Sequence, residues 1–348
     1  MKIGIVGLPF VGKSTIYNLL VGEDSSSDHL PGDTRTIKVH DSRIDKLSEM
    51  YEPKKTTYAF LQFTDTPGLD PTAGSKERNR VFGMIQKIDA LLWVTGNFDG
   101  CASSPLSQLE DIKSEIILRD LELVENRLDK LENAKRKLEK FEKDELEVLK
   151  KIKEYLDNEK FPDISEILPE EIKLISSLSL FSIKPYFILI NSDEDSFEKN
   201  TTEIEKMKSY TEENRLGIIE ICGKFEMELN SLEEDERKEF MQELGIKESG
   251  IQRLTTLIYD HVGLISFFTV GKDEVRAWTI KKNTCAKEAA GKIHSDLERG
   301  FIRAEIMKYE ELLEFGSEKI LKEKGLFKVV GKEYIVEDGD IINIRFNV

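Results

Sequence analysis

Lys2-Ile3-Gly4-Ile5-Val6-Gly7-Leu8-Pro9-Phe10-Val11-Gly12-Lys13-Ser14 reads as a buried strand running straight into a phosphate-binding turn. Residues 2–6 are the strand, and 13–21 fit the helix that follows. Between them, Gly7 to Ser14 meets the pattern G-x-x-x-x-G-K-[ST]. Its glycines let the backbone turn tightly, so that N–H groups converge on an anion. The next helix presents its positive end to the same place. Leu8, Pro9, Phe10, Val11, Gly12, Lys13, Ser14 and Thr15 are therefore the expected nucleotide contacts. Lys13 would neutralise the β- and γ-phosphates, and Ser14 would ligate Mg²⁺.

Outward from this turn, further apolar runs end in polar turns. The strand expected at 58–64 leads into Asp65-Thr66-Pro67-Gly68, where Asp65 would hold a magnesium-bound water and the Gly68 N–H would meet the γ-phosphate. A helix is expected at about 75–88 and a strand at 90–95. The strand at 186–190 ends in Asn191-Ser192-Asp193-Glu194, and the strand at 217–222 ends in Cys222-Gly223-Lys224. Asn191, Glu194, Cys222 and Gly223 are expected near the base. In guanine-binding proteins the turn after the first of these strands reads Asn-Lys-x-Asp. Glu194 is one methylene longer than that Asp, and Ser192 replaces the Lys, so guanine selectivity should weaken and adenine becomes admissible. The βα rhythm predicts a doubly wound, mostly parallel α/β sheet.

The character changes at about residue 107. From Leu109 to Lys160 there is no Gly or Pro, and Leu121, Val124, Leu128, Leu131 and Leu138 keep heptad spacing, broken at Lys135. An antiparallel helical hairpin is expected, turning near 141–145 and inserted in the α/β domain. A helical segment at about 230–262 closes that domain. From Gly263 to Val348 the chain is small α+β, with strands at 265–270, 275–280, 301–306 and 341–347, a helix at about 285–297 and a tight turn at 336–340. This block has 15 acidic and 15 basic residues, whereas the 348-residue chain carries −16. The acidic balance argues against a general nucleic-acid coat. Cys101, Cys222 and Cys285 are too scattered for a disulfide framework or zinc site and fit a reducing cytosol. No 18-residue apolar run exists. A cytoplasmic, membrane-free monomer is the expectation.

These motifs, in this order and with a helical insertion, resemble the YchF/Obg-like ATPases of the translation-factor GTPase class. The tail carries the strongest match: Leu264 to Thr269, Glu274 to Ile280, His294 to Glu305 and Asp338 to Val348 are similar to that family's C-terminal TGS domain, a β-grasp module. The resemblance implies a G domain at 1–107 plus 181–262, a coiled-coil arm at 108–180 and a TGS domain at 263–348. It implies Mg²⁺-dependent binding of ATP, with GTP admitted, a slow ATPase acting as a nucleotide-state switch, and contact with ribosomes or structured RNA through the TGS domain. The alternative is a nucleotide-gated RNA- or ribosome-binding module that hydrolyses little. The family's Asn-x-x-Glu motif stands here as Asn191 and Glu194. Four features depart from the family. Phe10 stands where an Asn associated with an activating K⁺ is usual, which implies no K⁺ site. The segment 28–41 is short, leaving either Thr34 or Thr36 as the second Mg²⁺ ligand, with Thr36 taken beside Ser14 and Asp65. Leu69 to Ser75 replaces a Gly-rich switch. No His stands in the 97–105 loop. All four touch the γ-phosphate side, so binding is better supported than fast hydrolysis, and no residue is assigned as a catalytic base.

Overall fold

The computed structural model describes residues 1–22, 32–199 and 201–347. In chain order the elements are β1 (Lys2–Val6), α1 (Lys13–Val21), β2 (Thr34–Lys38), α2 (Ser42–Tyr51), β3 (Lys55–Thr57), β4 (Phe60–Thr64), α3 (Ser75–Ile85) and β5 (Ala90–Asn97). Then come α4 (Pro105–Glu132), α5 (Lys140–Asp157), α6 (Pro169–Ile175), β6 (Tyr186–Ser192), α7 (Thr202–Glu213), β7 (Gly217–Cys222), α8 (Gly223–Ser231), α9 (Glu234–Glu243) and α10 (Gly250–Val262). The last block holds β8 (Leu264–Thr269), β9 (Glu274–Lys281), α11 (Ala286–Ile293), α12 (Ser295–Arg299), β10 (Phe301–Lys308), α13 (Tyr309–Phe315), α14 (Glu318–Glu323), β11 (Lys328–Val330) and β12 (Asp340–Phe346).

Two compact units emerge: Met1–Arg35 with Gln62–Gly250, and Thr36–Leu61 with Ile251–Val348. The first is built on β4, β1, β5, β6 and β7, which neighbour one another in that order and run parallel. The expected α/β P-loop domain is present. Its central strands are covered on both faces, so β5 and β6 read as unbroken apolar runs rather than alternating ones. Trp93 on β5 is fully buried, stacks on Tyr186 with centroids 4.3 Å apart and meets Phe161 edge-on. β1 lies between β4 and β5, and the chain crosses from one side of it to the other between those two strands. That reversal opens a crevice at the carboxyl ends of the strands.

Helix α4 belongs to two cores. Leu109, Ile112 and Ile116 pack into the core beneath the sheet. Ile117, Val124, Leu128 and Leu131 pack instead with Val148, Leu149, Ile152 and Leu156 of α5 and with Ile175 of α6. Arg127 on α4 forks onto Glu145 of α5 at 2.7 and 2.6 Å, and Lys153 of α5 reaches Glu125 of α4. The two helices therefore run antiparallel. Glu145 is buried, so removing Arg127 would strand a charge at a cost of about 3–5 kcal/mol. At the base of the arm the buried Asp120 carboxylate accepts from the backbone N–H groups of Phe181 and Ser182, and burial pushes its pKa up.

The turn of this hairpin lies at 133–139, not at 141–145. Asn133 ends α4, with its side chain donating to the Asp129 carbonyl. The apolar seam continues only through Leu138, which tucks against the arm's core. The Glu142 carboxylate then accepts from the Glu139 N–H at 2.9 Å and restarts the helix. The single helical segment expected at 230–262 is broken into α8, α9 and α10, and the helix expected at 285–297 is two, split where His294 takes an extended conformation.

The second unit is a β-grasp sheet of order β11-β10-β12-β8-β9-β3. Its first and last long strands, β8 and β12, lie parallel at the centre, and α11 packs on the core they share. Glu337 and Asp340 close the expected turn before β12. Residues 36–61, expected with the P-loop domain, complete this unit instead. β3 pairs in parallel with β9, and the Arg43 guanidinium bridges Asp41 and Asp338 over the Phe268 ring. Tyr51 donates to Glu318 and Lys54 pairs with Asp273.

Candidate functional site

The first unit's crevice is a cleft of about 950 Å³ lined by Pro9, Phe10, Gly12–Thr15, Asp65–Gly68, Phe98, Asp99, Asn191–Asp193, Lys224 and Met227. Each segment arrives because its strand ends there. The floor is the 7–12 turn. Gly7 sits against the neighbouring strand so closely that a Cβ would lie 2.4 Å from the Val94 carbonyl oxygen. Gly12 has φ +87°, in the left-handed region that a side chain disfavours. Phe10 also has a positive φ, +64°, and its ring is 89% exposed. A bulky side chain in that backbone state is costly, and the ring has given up burial as well.

Lys13 opens α1. Its Nζ donates to the Leu8 carbonyl at 2.7 Å, curling back over the turn. Burial lowers its pKa to about 8, against the pull of the nearby Asp65 carboxylate. An ammonium held over a glycine-bounded turn at the mouth of a helix suits an anion.

The 65–68 turn is pinned beside it. Thr66 Oγ1 donates to the Ile5 carbonyl at 2.5 Å, and the Leu69 N–H donates to Gly7 O at 2.9 Å. Asp65 exchanges backbone hydrogen bonds with Gly32 and Asp33. Tyr17 reaches Asp33, and burial together with that carboxylate pushes the phenol up to about 12. Gly68 lies against Pro9, where a Cβ would stand 2.8 Å from the Pro9 backbone. Ser14 and Asp65 line the same cleft. One hydroxyl and one carboxylate suit Mg²⁺, which takes its remaining ligands from phosphate and water rather than from an all-protein cage. Among the described residues no group of three or more His, Cys, Asp or Glu side chains is placed to hold a metal ion. Of the two threonine candidates, Thr34 shares a 2.8 Å hydroxyl contact with Thr64, while Thr36 belongs to the second unit.

Asn191 is buried and works as a clamp. Its Nδ2 donates to Val11 O at 3.2 Å, and its Oδ1 accepts from the Gly223 N–H at 3.1 Å. It thus ties the phosphate turn to the β7–α8 junction. Ser192 is turned away from the rim, bridging Asn97 and Glu220. Glu194 does not line the cleft; it stands exposed and pairs with Lys224 at 3.3 Å. Leu8, Val11, Cys222 and Gly223 also lie outside the lining. Leu8 offers only its carbonyl to Lys13, Val11 and Cys222 are buried, and Gly223 N–H is spent on Asn191. Phe98, Asp99 and Met227 line the cleft without having been singled out as contacts. The signal for the first two was present in the sequence: a strand ending at Asn97 delivers the next residues to the crevice once β5 is known to lie beside β1.

A family model described as "50S ribosome-binding GTPase" matches residues 2–153. The C-terminal model of YchF-type GTPases, described as "Protein of unknown function (DUF933)", matches residues 264–347. The chain is 38% identical over 361 residues to the Ribosome-binding ATPase YchF of Bacillus subtilis (strain 168), covering 99% of both chains. It is 36% identical over 366 residues to Obg-like ATPase 1 of Caenorhabditis elegans, covering 100% of this chain and 92% of that one. The structure of the Schizosaccharomyces pombe YchF GTPase superimposes with a TM-score of 0.85 at 31% identity, covering 99% of this chain and 97% of that one. With the phosphate turn, the helical insertion and the β-grasp unit all in place, this chain belongs to the YchF/Obg-like ATPase family.

Proposed function

We propose that the chain is a Mg²⁺-dependent purine-nucleotide-binding P-loop NTPase that takes ATP at least as well as GTP and turns it over slowly. The observation that carries this reading is Lys13, an ammonium held in the phosphate turn at the mouth of α1, with Asp65 and Ser14 in the same cleft. Ser14 and Asp65 would hold the magnesium ion, which supplies charge neutralisation at the phosphates when bound. Titration with fluorescent ATP, with and without Mg²⁺, followed by single-turnover hydrolysis of radiolabelled ATP, tests it.

Slow turnover has its own support. Leu69 stands where many GTPases place a water-orienting glutamine. Here it is fully buried and its N–H is held by Gly7. Among the described lining residues none is Gln, Glu or His, and the carboxylates that face the cleft are those of Asp65, Asp99 and Asp193. The same observation favours the second reading, a nucleotide-gated binding module with little hydrolysis. Single-turnover cleavage that proceeds no faster than free ATP would select it.

Base choice follows from the rim. Glu194 is drawn to Lys224 and cannot present guanine with the geometry of an aspartate. ATP is expected to bind at least as tightly as GTP, and Glu194→Asp to move the ratio toward GTP. Ser192 is left in place because it is 2% exposed. A wild-type preference for GTP of tenfold or more would contradict this assignment.

Relatives named ribosome-binding ATPases support a ribosome partner. The second unit offers exposed Lys281, Lys282, Lys287, Lys292, Arg299 and Arg303 for it, with Arg276 stacked 3.8 Å above the Trp278 ring. Charge reversal at Lys281 and Lys282 is the appropriate probe. Deleting residues 264–348 would strip α2 and β3 of their packing partners.

A further inference from the structure

The helical arm is paired along its shaft and unpaired at its end. On the shaft, Arg119 meets Glu122, Arg127 meets Glu145, Lys150 meets Glu132, and Lys153 meets both Glu125 and Asp157. At the turn, residues 133–143 hold five basic and two acidic side chains in a chain of net charge −16. One of those two acids, Glu142, is consumed: its buried carboxylate accepts a fork from Arg136 at 2.8 and 2.6 Å and caps α5. Arg136 and the turn backbone hold its carboxyl below the usual carboxylate range. Lys135, Lys137, Lys140 and Lys143 are all exposed and form no ion pair among the described residues. Phe141 stands among them, 52% exposed.

The placement is rigid. From Ile117 onward α4 runs 16 residues past the sheet's core, about 24 Å. The Arg127–Glu145 fork and the Asp120 anchor fix its direction. Four lysines without ion pairs, set against the one remaining carboxylate of Glu139, leave a net positive charge on a capped turn at the end of the arm. An exposed phenyl ring among lysines adds a second recognition element. Phosphates satisfy the ammonium groups, and an unpaired base satisfies the ring by stacking. A peptide of acidic residues alone would meet the first need and leave the ring in water. RNA loops supply both, since their unstacked bases are free to splay out.

We propose that the arm's turn, residues 133–143, is an RNA-contact site that engages the phosphate backbone through Lys135, Lys137, Lys140 and Lys143 and stacks an unpaired base on Phe141. It shares no residue with the nucleotide cleft or with the basic face of the second unit.

The test uses the full chain and a fluorescein-labelled RNA hairpin with an eight-nucleotide loop, read by fluorescence anisotropy across a salt series. Replacing all four lysines by glutamine should reduce the slope of log affinity against log salt by about 3, at ~0.7 per single-strand phosphate contact. Phe141→Ser should weaken binding about tenfold while leaving that slope unchanged. Both variants should bind ATP as the wild type does and keep its helical circular dichroism, which separates this site from the nucleotide reading. Lys281→Glu with Lys282→Glu, measured alongside, should leave the change in slope produced by the turn variant intact. Wild-type protein that fails to bind the hairpin at low salt, or a lysine variant with the wild-type slope, would overturn the assignment. So would an affinity for the hairpin that Phe141→Ser leaves unchanged, or a poly-glutamate peptide that displaces the hairpin as well as unlabelled RNA does, because the turn would then read charge alone and serve an acidic protein.

Discussion

Lys13→Ala should bind ATP and GTP at least 100-fold more weakly than the wild type, without losing stability. Lys13 is the one side-chain cation of the 7–14 turn. Charge-assisted hydrogen bonds to phosphate contribute about 1.5–3 kcal/mol each, so losing the two made to the β- and γ-phosphates removes about two decades or more of affinity. Folding itself gains nothing from the charge. Burial depresses the Lys13 pKa from 10.5 to about 8, so the unfolded chain binds the extra proton between those values and stability rises with pH across that window. The variant should therefore melt no lower than the wild type at pH 7. A second consequence follows from the same group. A triphosphate favours the protonated amine, so binding above pH 8 takes up a proton. Wild-type affinity should fall by up to tenfold per pH unit above about 8, and the Lys13→Ala profile should be flat there. Isothermal titration in two buffers of different ionisation enthalpy reads the uptake directly. A variant that binds within threefold of the wild type would show that the turn is not the phosphate site.

Gly12→Ala should cost the first unit about 3–8 kcal/mol and abolish nucleotide binding even where the protein remains folded. Two penalties coincide at this position. Its φ of +87° disfavours any side chain by about 1–2 kcal/mol. The new methyl would also stand 2.1 Å from Asn191 Nδ2. Asn191 would have to swing away and abandon Val11 O and Gly223 N–H, buried groups that cost about 1–3 kcal/mol each when unsatisfied. Gly22→Ala is the matched control. Gly22 has φ +70° and nothing within 4 Å of a Cβ, so it carries the backbone penalty alone. Urea titration of both variants, followed by ATP binding well below each midpoint, separates strain from collision. Equal losses in the two proteins would mean that Asn191 is not the clamp that shapes the turn.

Much of the P-loop unit was legible because its signals are local. The strand at 2–6, the G-x-x-x-x-G-K-S turn and the helix from Lys13 are contiguous, and each element's period is short enough to read in one window. The same holds for Asp65-Thr66-Pro67-Gly68 after β4 and Asn191 after β6. The arm was legible as two amphipathic helices, but its turn was misplaced by several residues. Charge density hides a loop whose residues also favour helix, and only the packing of Leu138 and the Glu142 cap show where the chain reverses.

By itself the amino-acid sequence determined the chemistry available: a phosphate turn with one lysine, a carboxylate after the next strand, a base-side motif ending in Glu rather than Asp, and a mixed-charge tail of β-grasp pattern. The tertiary structure decided which of these meet. Strand order brings Phe98, Asp99 and Met227 to the cleft and leaves Glu194 on the rim, tied to Lys224. It gives residues 36–61 to the β-grasp unit through β3, a three-residue strand too short to announce its partner. Which side chains meet depends on contacts between residues far apart in sequence, such as Arg43 with Asp338 and Asn191 with Val11. No local period encodes such a contact, because its free energy is gained only after the intervening chain has folded.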